Sequence, residues 1–193
     1  MKLKRSIYLT LITLFLILAY NVYSETAKMS SSFDIQNGEI NITSISFELD
    51  MKNSVLSFNG DVSGDVSSEM IDMEEDYIIT CQKLEVYFKR TPDDTSNKDN
   101  KYNVIKIVAT GSVEITRSDG ANAKAEHVVY NKDLEKIVMT GNPDLNYLKD
   151  DRRYQIGGDG KIVTYYTKEK RFHVKGTKEN KANIKIKSGE DER

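Results

Sequence analysis

From residue 25 onward the chain alternates apolar and polar side chains at a period of two, the spacing of a strand with one dry and one wet face. Ile40 and Ile42 follow this pattern, as do Ile45, Phe47 and Leu49, with a slip in parity at Thr43-Ser44. A bulge at the slip would keep both halves on one core, whereas a turn would make them two short strands. Four further runs each stop at a glycine: Leu56-Ser57-Phe58-Asn59-Gly60, Ile107-Val108-Ala109-Thr110-Gly111, Ile137-Val138-Met139-Thr140-Gly141 and Phe172-His173-Val174-Lys175-Gly176. The glycines are 51, 30 and 35 residues apart, a degenerate repeat. After Gly111 and Gly141 the chain runs on to stretches ending in tyrosine, His127-Val128-Val129-Tyr130 and Lys161-Ile162-Val163-Thr164-Tyr165-Tyr166. Repeated strand-Gly-strand units of about 30 residues predict an all-β chain of stacked hairpins, none able to bury its apolar face alone. Such an architecture offers an elongated binding surface rather than a compact catalytic cleft.

Turn residues divide the strands. Thr91 to Lys101 is wholly polar and lengthens the first glycine interval, so it reads as an insertion loop. A short helix over Ser67 to Glu75 is the one departure from strand, on a poor pattern. Asn142-Pro143 predicts a corner or an edge, because proline cannot donate to a ladder. Gly157-Gly158-Asp159-Gly160 predicts a second tight corner, and no Lys-Ser/Thr pair follows that would make it a phosphate cradle. Asn183-Ile184-Lys185-Ile186-Lys187 alternates isoleucine with lysine, as an edge strand does when it resists unwanted pairing.

The first 24 residues follow a different rule. Lys2, Lys4 and Arg5 precede an uncharged stretch from Ser6 to Ser24 with an apolar centre from Ile7 to Ala19. This is the form of a secretory signal peptide, with Val22-Tyr23-Ser24 supplying a cleavage site. Nineteen uncharged residues can also just span a bilayer, so an uncleaved anchor is the alternative. Either reading exports the remaining chain. That remainder is expected to form one domain over residues 25–187, with the loop at 91–101 and a polar tail at 188–193.

Composition removes several function classes. Three of the 28 Lys and Arg residues and none of the 30 Asp and Glu residues lie in the leader, so the remainder carries a net charge of about −5. The charges are interspersed, which leaves no electrostatic footprint for nucleic acid. The single cysteine, Cys81, excludes an intramolecular disulfide and sits between strand-like runs, as a buried thiol would. The only histidines, His127 and His173, make no metal-ligand spacing. Acid pairs such as Glu74-Glu75-Asp76 and Asp93-Asp94 fall in polar stretches, and no serine lies in a nucleophile motif. No enzymatic activity and no cofactor are expected. A glycan hydrolase would need two carboxylates meeting across a groove.

The block Gly111-Ser112-Val113-Glu114-Ile115, through Ala123-Lys124-Ala125-Glu126-His127-Val128-Val129-Tyr130, to Ile137-Val138-Met139-Thr140-Gly141-Asn142-Pro143 resembles the OstA/LptA-like family of periplasmic lipopolysaccharide-transport proteins. Gly158 to Tyr166 and Phe172 to Gly176 continue the resemblance, which is good over residues 104–176 and weak over 30–90. The resemblance implies an open, twisted antiparallel β-jellyroll, folded like a taco around an apolar lumen. It also implies a periplasmic protein that binds lipopolysaccharide or a related glycolipid. Such a protein joins an inner-membrane ABC-type export complex to an outer-membrane assembly protein through edge-strand pairing, with head-to-tail self-association. An uncleaved leader would instead make a membrane-tethered receiver of the same fold.

Alternation selects the residues that would line that lumen: Ile105 and Ile107, Val113 and Ile115, Val128 and Tyr130, Ile137 and Met139, Leu145 and Tyr147, then Ile156, Ile162, Phe172 and Val174. Burying an acyl chain of a dozen carbons stabilises by on the order of 10 kcal/mol, more than any single polar contact, so an apolar wall is the site such a ligand requires. The same residues would serve equally as a closed core, the arrangement of a structural β-solenoid that binds only protein. Ile40 to Leu49 and Asn183 to Lys187 are the expected open edges.

Overall fold

The computed structural model describes residues 29–35, 38–68, 76–90, 102–149, 152–181 and 184–188. The leader, the loop at 91–101, most of the expected helix at 67–75 and the tail after 188 lie outside them. The described residues form thirteen strands and no α-helix. In chain order these are β1 (Met29–Ile35), β2 (Gly38–Ser44), β3 (Ser46–Asp50), β4 (Val55–Val66), β5 (Tyr77–Arg90), β6 (Tyr102–Arg117), β7 (Asn122–Asn131), β8 (Lys136–Thr140), β9 (Asp144–Lys149), β10 (Arg152–Gly157), β11 (Ile162–Tyr166), β12 (Arg171–Lys175) and β13 (Ile184–Ser188). Among the described residues every pairing is antiparallel, and the sheet stays open because none of its edge strands, β1, β3, β12 and β13, pairs with another.

Two of the four repeated glycines, Gly141 and Gly176, end strands as their sequence context suggests, and the other two do not. Gly60 and Gly111 lie inside β4 and β6, and Gly141 directly follows β8. Each has a left-handed φ (77°, 80° and 72°), and so does the residue after it: Asp61, Ser112 and Asn142. Two consecutive left-handed residues oppose one residue on the neighbouring strand, and the ladder register shifts there between β4 and β5, β5 and β6, and β6 and β7. Bulges bend strands. Here they align, with the break at Ile45, Gly60-Asp61, Gln82, Gly111-Ser112, Glu126 and Gly141-Pro143 running across the sheet. Along this line one sheet folds into two facing halves.

One half contains β1, β2, the C-terminal part of β4, the N-terminal part of β5, the C-terminal part of β6, the N-terminal part of β7, then β9, β10 and β13. The other contains β3, the remaining parts of β4 to β7, then β8, β11 and β12. Their inner faces make one apolar cluster, in which Phe58, Ile42, Leu84, Val113, Ile156 and Val163 are almost wholly buried.

The parity slip at Thr43-Ser44 is the bulge at this corner. Ile42 pairs with Gly64, Phe47 with the buried Phe58 and Leu49 with Leu56, so both segments face inward. Phe47 and Leu49 nevertheless remain 41% and 47% exposed, because β3 lies at an edge with no strand beyond it among the described residues. The expected N-terminal edge, Ile40 to Leu49, is therefore half right. β1, whose Met-Ser-Ser-Ser start gives no alternation, covers β2, and only the β3 part of the segment is open. At the other end β13 pairs with β10 alone, leaving its second side open among the described residues.

Candidate functional site

The space between the halves is a groove whose wall is built by alternation. Its larger cavity, about 260 Å³, takes Tyr77, Ile115, Ala123, Leu145 and Tyr147 from one half, and Ile137, Met139, Tyr165 and Phe172 from the other. A smaller cavity continues it past Ile115 and Ile137 toward Ile79, Ile107, Val128 and Tyr130. At the C-terminal end the halves touch through aromatic rings. Tyr147 on β9 stacks on Tyr154 at 4.9 Å and meets Phe172 on β12 at 5.4 Å, and Phe172 stacks on Tyr165 at 4.6 Å. Ring contacts of this kind contribute about 0.5–1.5 kcal/mol each beyond burial, and no ladder hydrogen bonds run between β9 and β12.

Of the candidate residues, Ile107, Val113, Val128, Tyr130, Ile137, Met139, Leu145 and Ile156 are buried on the inner face, and Ile115, Tyr147, Phe172 and Val174 pack half-buried against them. Ile105 and Ile162 are not part of this face. Tyr87 pairs with Lys106 and Phe88 with Val104, so Ile105 is the extra residue of a bulge, and Val104 is buried in its place. Ile162 is 37% exposed, whereas its neighbour Val163 is fully buried. The corner at Gly157 to Lys161 resets the alternation, with the Lys161 ammonium drawn in to donate to the Gly157 carbonyl at 2.7 Å. Sequence reasoning also missed Tyr77, Tyr165, Ala123 and the wall residues Phe58, Leu84 and Val86. Alternation around each of them is visible in the sequence, but only partner strands tell which parity faces in.

Two cations, Arg117 and Lys170, line the larger cavity. Arg117 forms an ion pair with Asp119, donating from Nε at 2.7 Å, and also bonds the Tyr77 hydroxyl. The guanidinium holds the Asp119 carboxyl below its usual range. Burial pushes the Tyr77 and Tyr147 hydroxyls up, so both stay neutral hydrogen-bonding groups in the wall. Among the described residues no three His, Cys, Asp or Glu side chains gather as a metal site.

Cys81 lies buried on the inner face at the corner, its thiol donating to the Lys83 carbonyl at 3.3 Å. Burial pushes the thiol up to about 11. Because the thiolate is the nucleophile, alkylation of the native protein at pH 8 is expected to run on the order of a hundredfold slower than in the urea-unfolded chain. Equal rates measured by iodoacetamide labelling and mass spectrometry would refute that burial.

A family model described as "LptA/(LptD N-terminal domain) LPS transport protein" matches residues 41–171. Among solved structures, the chain is similar to LptH, the LptA-homologous periplasmic component of the lipopolysaccharide-transport device from Pseudomonas aeruginosa. That similarity has a TM-score of 0.51 at 12% identity and covers 76% of this chain and 92% of the other. No curated protein matches the chain.

Proposed function

The chain belongs to the LptA/LptD N-terminal domain family of lipopolysaccharide-transport proteins, and from that premise we propose that it binds lipopolysaccharide in its groove and passes it along a periplasmic bridge. The observation that carries the proposal is a groove lined from both halves by aliphatic and aromatic side chains, while ionised groups other than the paired Arg117 and Lys170 at its rim stay outside the larger cavity. Acyl chains gain about 0.8 kcal/mol per buried methylene, and the open side leaves sugars and phosphates in water. The cavity of about 260 Å³ falls below the range usual for ligand pockets, so a glycolipid with several acyl chains would part the Tyr147–Phe172 contact to enter. The basic and then apolar residues 1–24 would direct export, whether cleaved or retained as an anchor. The partners would be an inner-membrane ABC-type export complex and an outer-membrane assembly protein, each joined at an open sheet edge. Movement would draw its energy from that complex.

In-cell photocrosslinking from Phe172, which faces the groove, with the exposed His173 as the outward control, tests the reading. Glycolipid adducts are expected at Phe172 and not at His173. Absence of adducts at Phe172 would overturn the binding role and favour a closed structural solenoid.

A further inference from the structure

We infer that Arg117 and Lys170, from opposite halves of the folded sheet, hold the phosphate of the lipid whose acyl chains fill the groove. The inference rests on the proposed cargo and names the group that fixes its depth. Placement is the first argument. Arg117 ends β6 and pairs with Tyr77 at the start of β5, at the edge of the first half farthest from the line along which the sheet folds. Lys170 lies in the turn between β11 and β12, at the corresponding far edge of the second half. Both line the larger cavity, so its mouth opens between two cations while Ile115, Ile137, Met139, Leu145 and Phe172 line its interior. An amphiphile that enters tail first brings the group next to its acyl chains to that mouth.

The preparation of Arg117 is the second argument. Asp119 accepts from Nε at 2.7 Å and from Nη2, and the Tyr77 hydroxyl takes a further bond. These contacts fix the plane of a five-donor fork suited to phosphate oxygens. The Arg117 side chain keeps 29% exposure, so the fork reaches the water of the mouth. Two cations against one carboxylate leave a net charge of +1 there, which one phosphate balances.

The far side of Arg117 supplies the third argument. There Arg117 and Tyr77 line a second cavity, with Asp65, Asp76 and the hydroxyls of Ser67, Thr116 and Ser118. The Ser68 N–H donates to Asp76 at 2.8 Å and holds its carboxyl below the usual range, so this acid stays ionised and repels an anion. The buried Ser67 hydroxyl finds no partner among the described residues. A phosphate is therefore held on the groove side of Arg117, and uncharged sugar hydroxyls suit the second cavity.

The test crosses protein charge with ligand phosphate. Lipid A and enzymatically dephosphorylated lipid A each compete with fluorescent lipopolysaccharide for the full-length chain, for Arg117→Gln and for Lys170→Gln, with urea midpoints to verify folding. Affinity for lipid A is expected to fall about tenfold in Arg117→Gln and about threefold in Lys170→Gln, whose exposed charge water screens. Neither substitution should change affinity for the dephosphorylated lipid, which the unmodified chain should itself bind about tenfold more weakly. Equal losses for both lipids would mean that the cations meet no phosphate, and would overturn the site while leaving the cargo reading intact. Lys170→Gln, in an exposed turn, carries the test alone if Arg117→Gln does not fold. Inorganic phosphate that competes as well as lipid A does would show a site for a free anion and overturn its assignment to a lipid. Failure of both lipids to bind the unmodified chain would remove the cargo, and the site with it.

Discussion

Ile115→Asp is expected to weaken lipopolysaccharide binding about a hundredfold while leaving the fold standing. Ile115 is only half-buried, pairs with Ile79 on one side and Ala123 on the other, and lines both cavities of the groove. With the groove empty, a carboxylate there keeps contact with water. With acyl chains in place it must be desolvated without a partner, at a cost of about 3 kcal/mol or more, which corresponds to about a hundredfold in affinity. Thr116→Asp is the control, because Thr116 is the next residue on the same strand and is exposed. Titration of each variant with fluorescent lipopolysaccharide, with urea midpoints to verify folding, reads the effect. Equal affinities for Ile115→Asp and the unmodified chain would mean that acyl chains do not occupy this part of the groove.

Gly157→Ala is expected to cost at least about 3 kcal/mol of stability, or roughly 6 to 12 °C in Tm for a domain of this size. Two effects combine. The φ of 138° lies where residues with a β-carbon are strained by about 1–3 kcal/mol. A Cβ would also overlap the Pro143 carbonyl oxygen and sit 2.7 Å from its carbonyl carbon and 3.1 Å from Asp144 Cα. These are backbone atoms, and a side-chain rotation cannot relieve the clash. The same carbonyl accepts from Gly158 N at 2.6 Å, and the Gly157 carbonyl accepts from the buried Lys161. Displacing Gly157 therefore disturbs the corner that connects β10 to β11 and thus one half to the other. Gly120→Ala separates the two effects. Gly120 has φ 88° but nothing within 4 Å of its Cβ position, so only the backbone strain of about 1–2 kcal/mol applies. If both substitutions shift the urea midpoint equally, the close approach at Pro143 is not what constrains Gly157.

Period-two alternation was sufficient to read the strands from β6 to β12 and to place twelve of the fourteen candidate residues on the inner face, because each strand carries its own dry side in its sequence. It failed at Ile105 and Ile162 for one reason. A bulge or a corner resets parity, and where it falls depends on what the neighbouring strand pairs with. The glycine repeat was legible as punctuation, yet its meaning was not. Gly60, Gly111 and Gly141 mark the fold line of a continuous sheet, and their alignment exists only once β4, β6 and β8 lie near one another.

The edges show the same division. The alternation of Ile184, Lys185 and Ile186 was readable as an edge strand, and β13 does pair on one side only among the described residues. Ile40 and Ile42 carried an equally clear pattern, but β1 covers their strand although its polar residues give no periodic signal. By itself, the sequence determined the strand content, the family and the apolar character of one face of each strand, since these follow from local alternation and residue type. The tertiary structure alone decided which faces oppose one another, how the groove closes at Tyr147 and Phe172, and which edges remain open. Those depend on hydrogen-bond partners and ring contacts between residues distant in the chain, which no local pattern encodes.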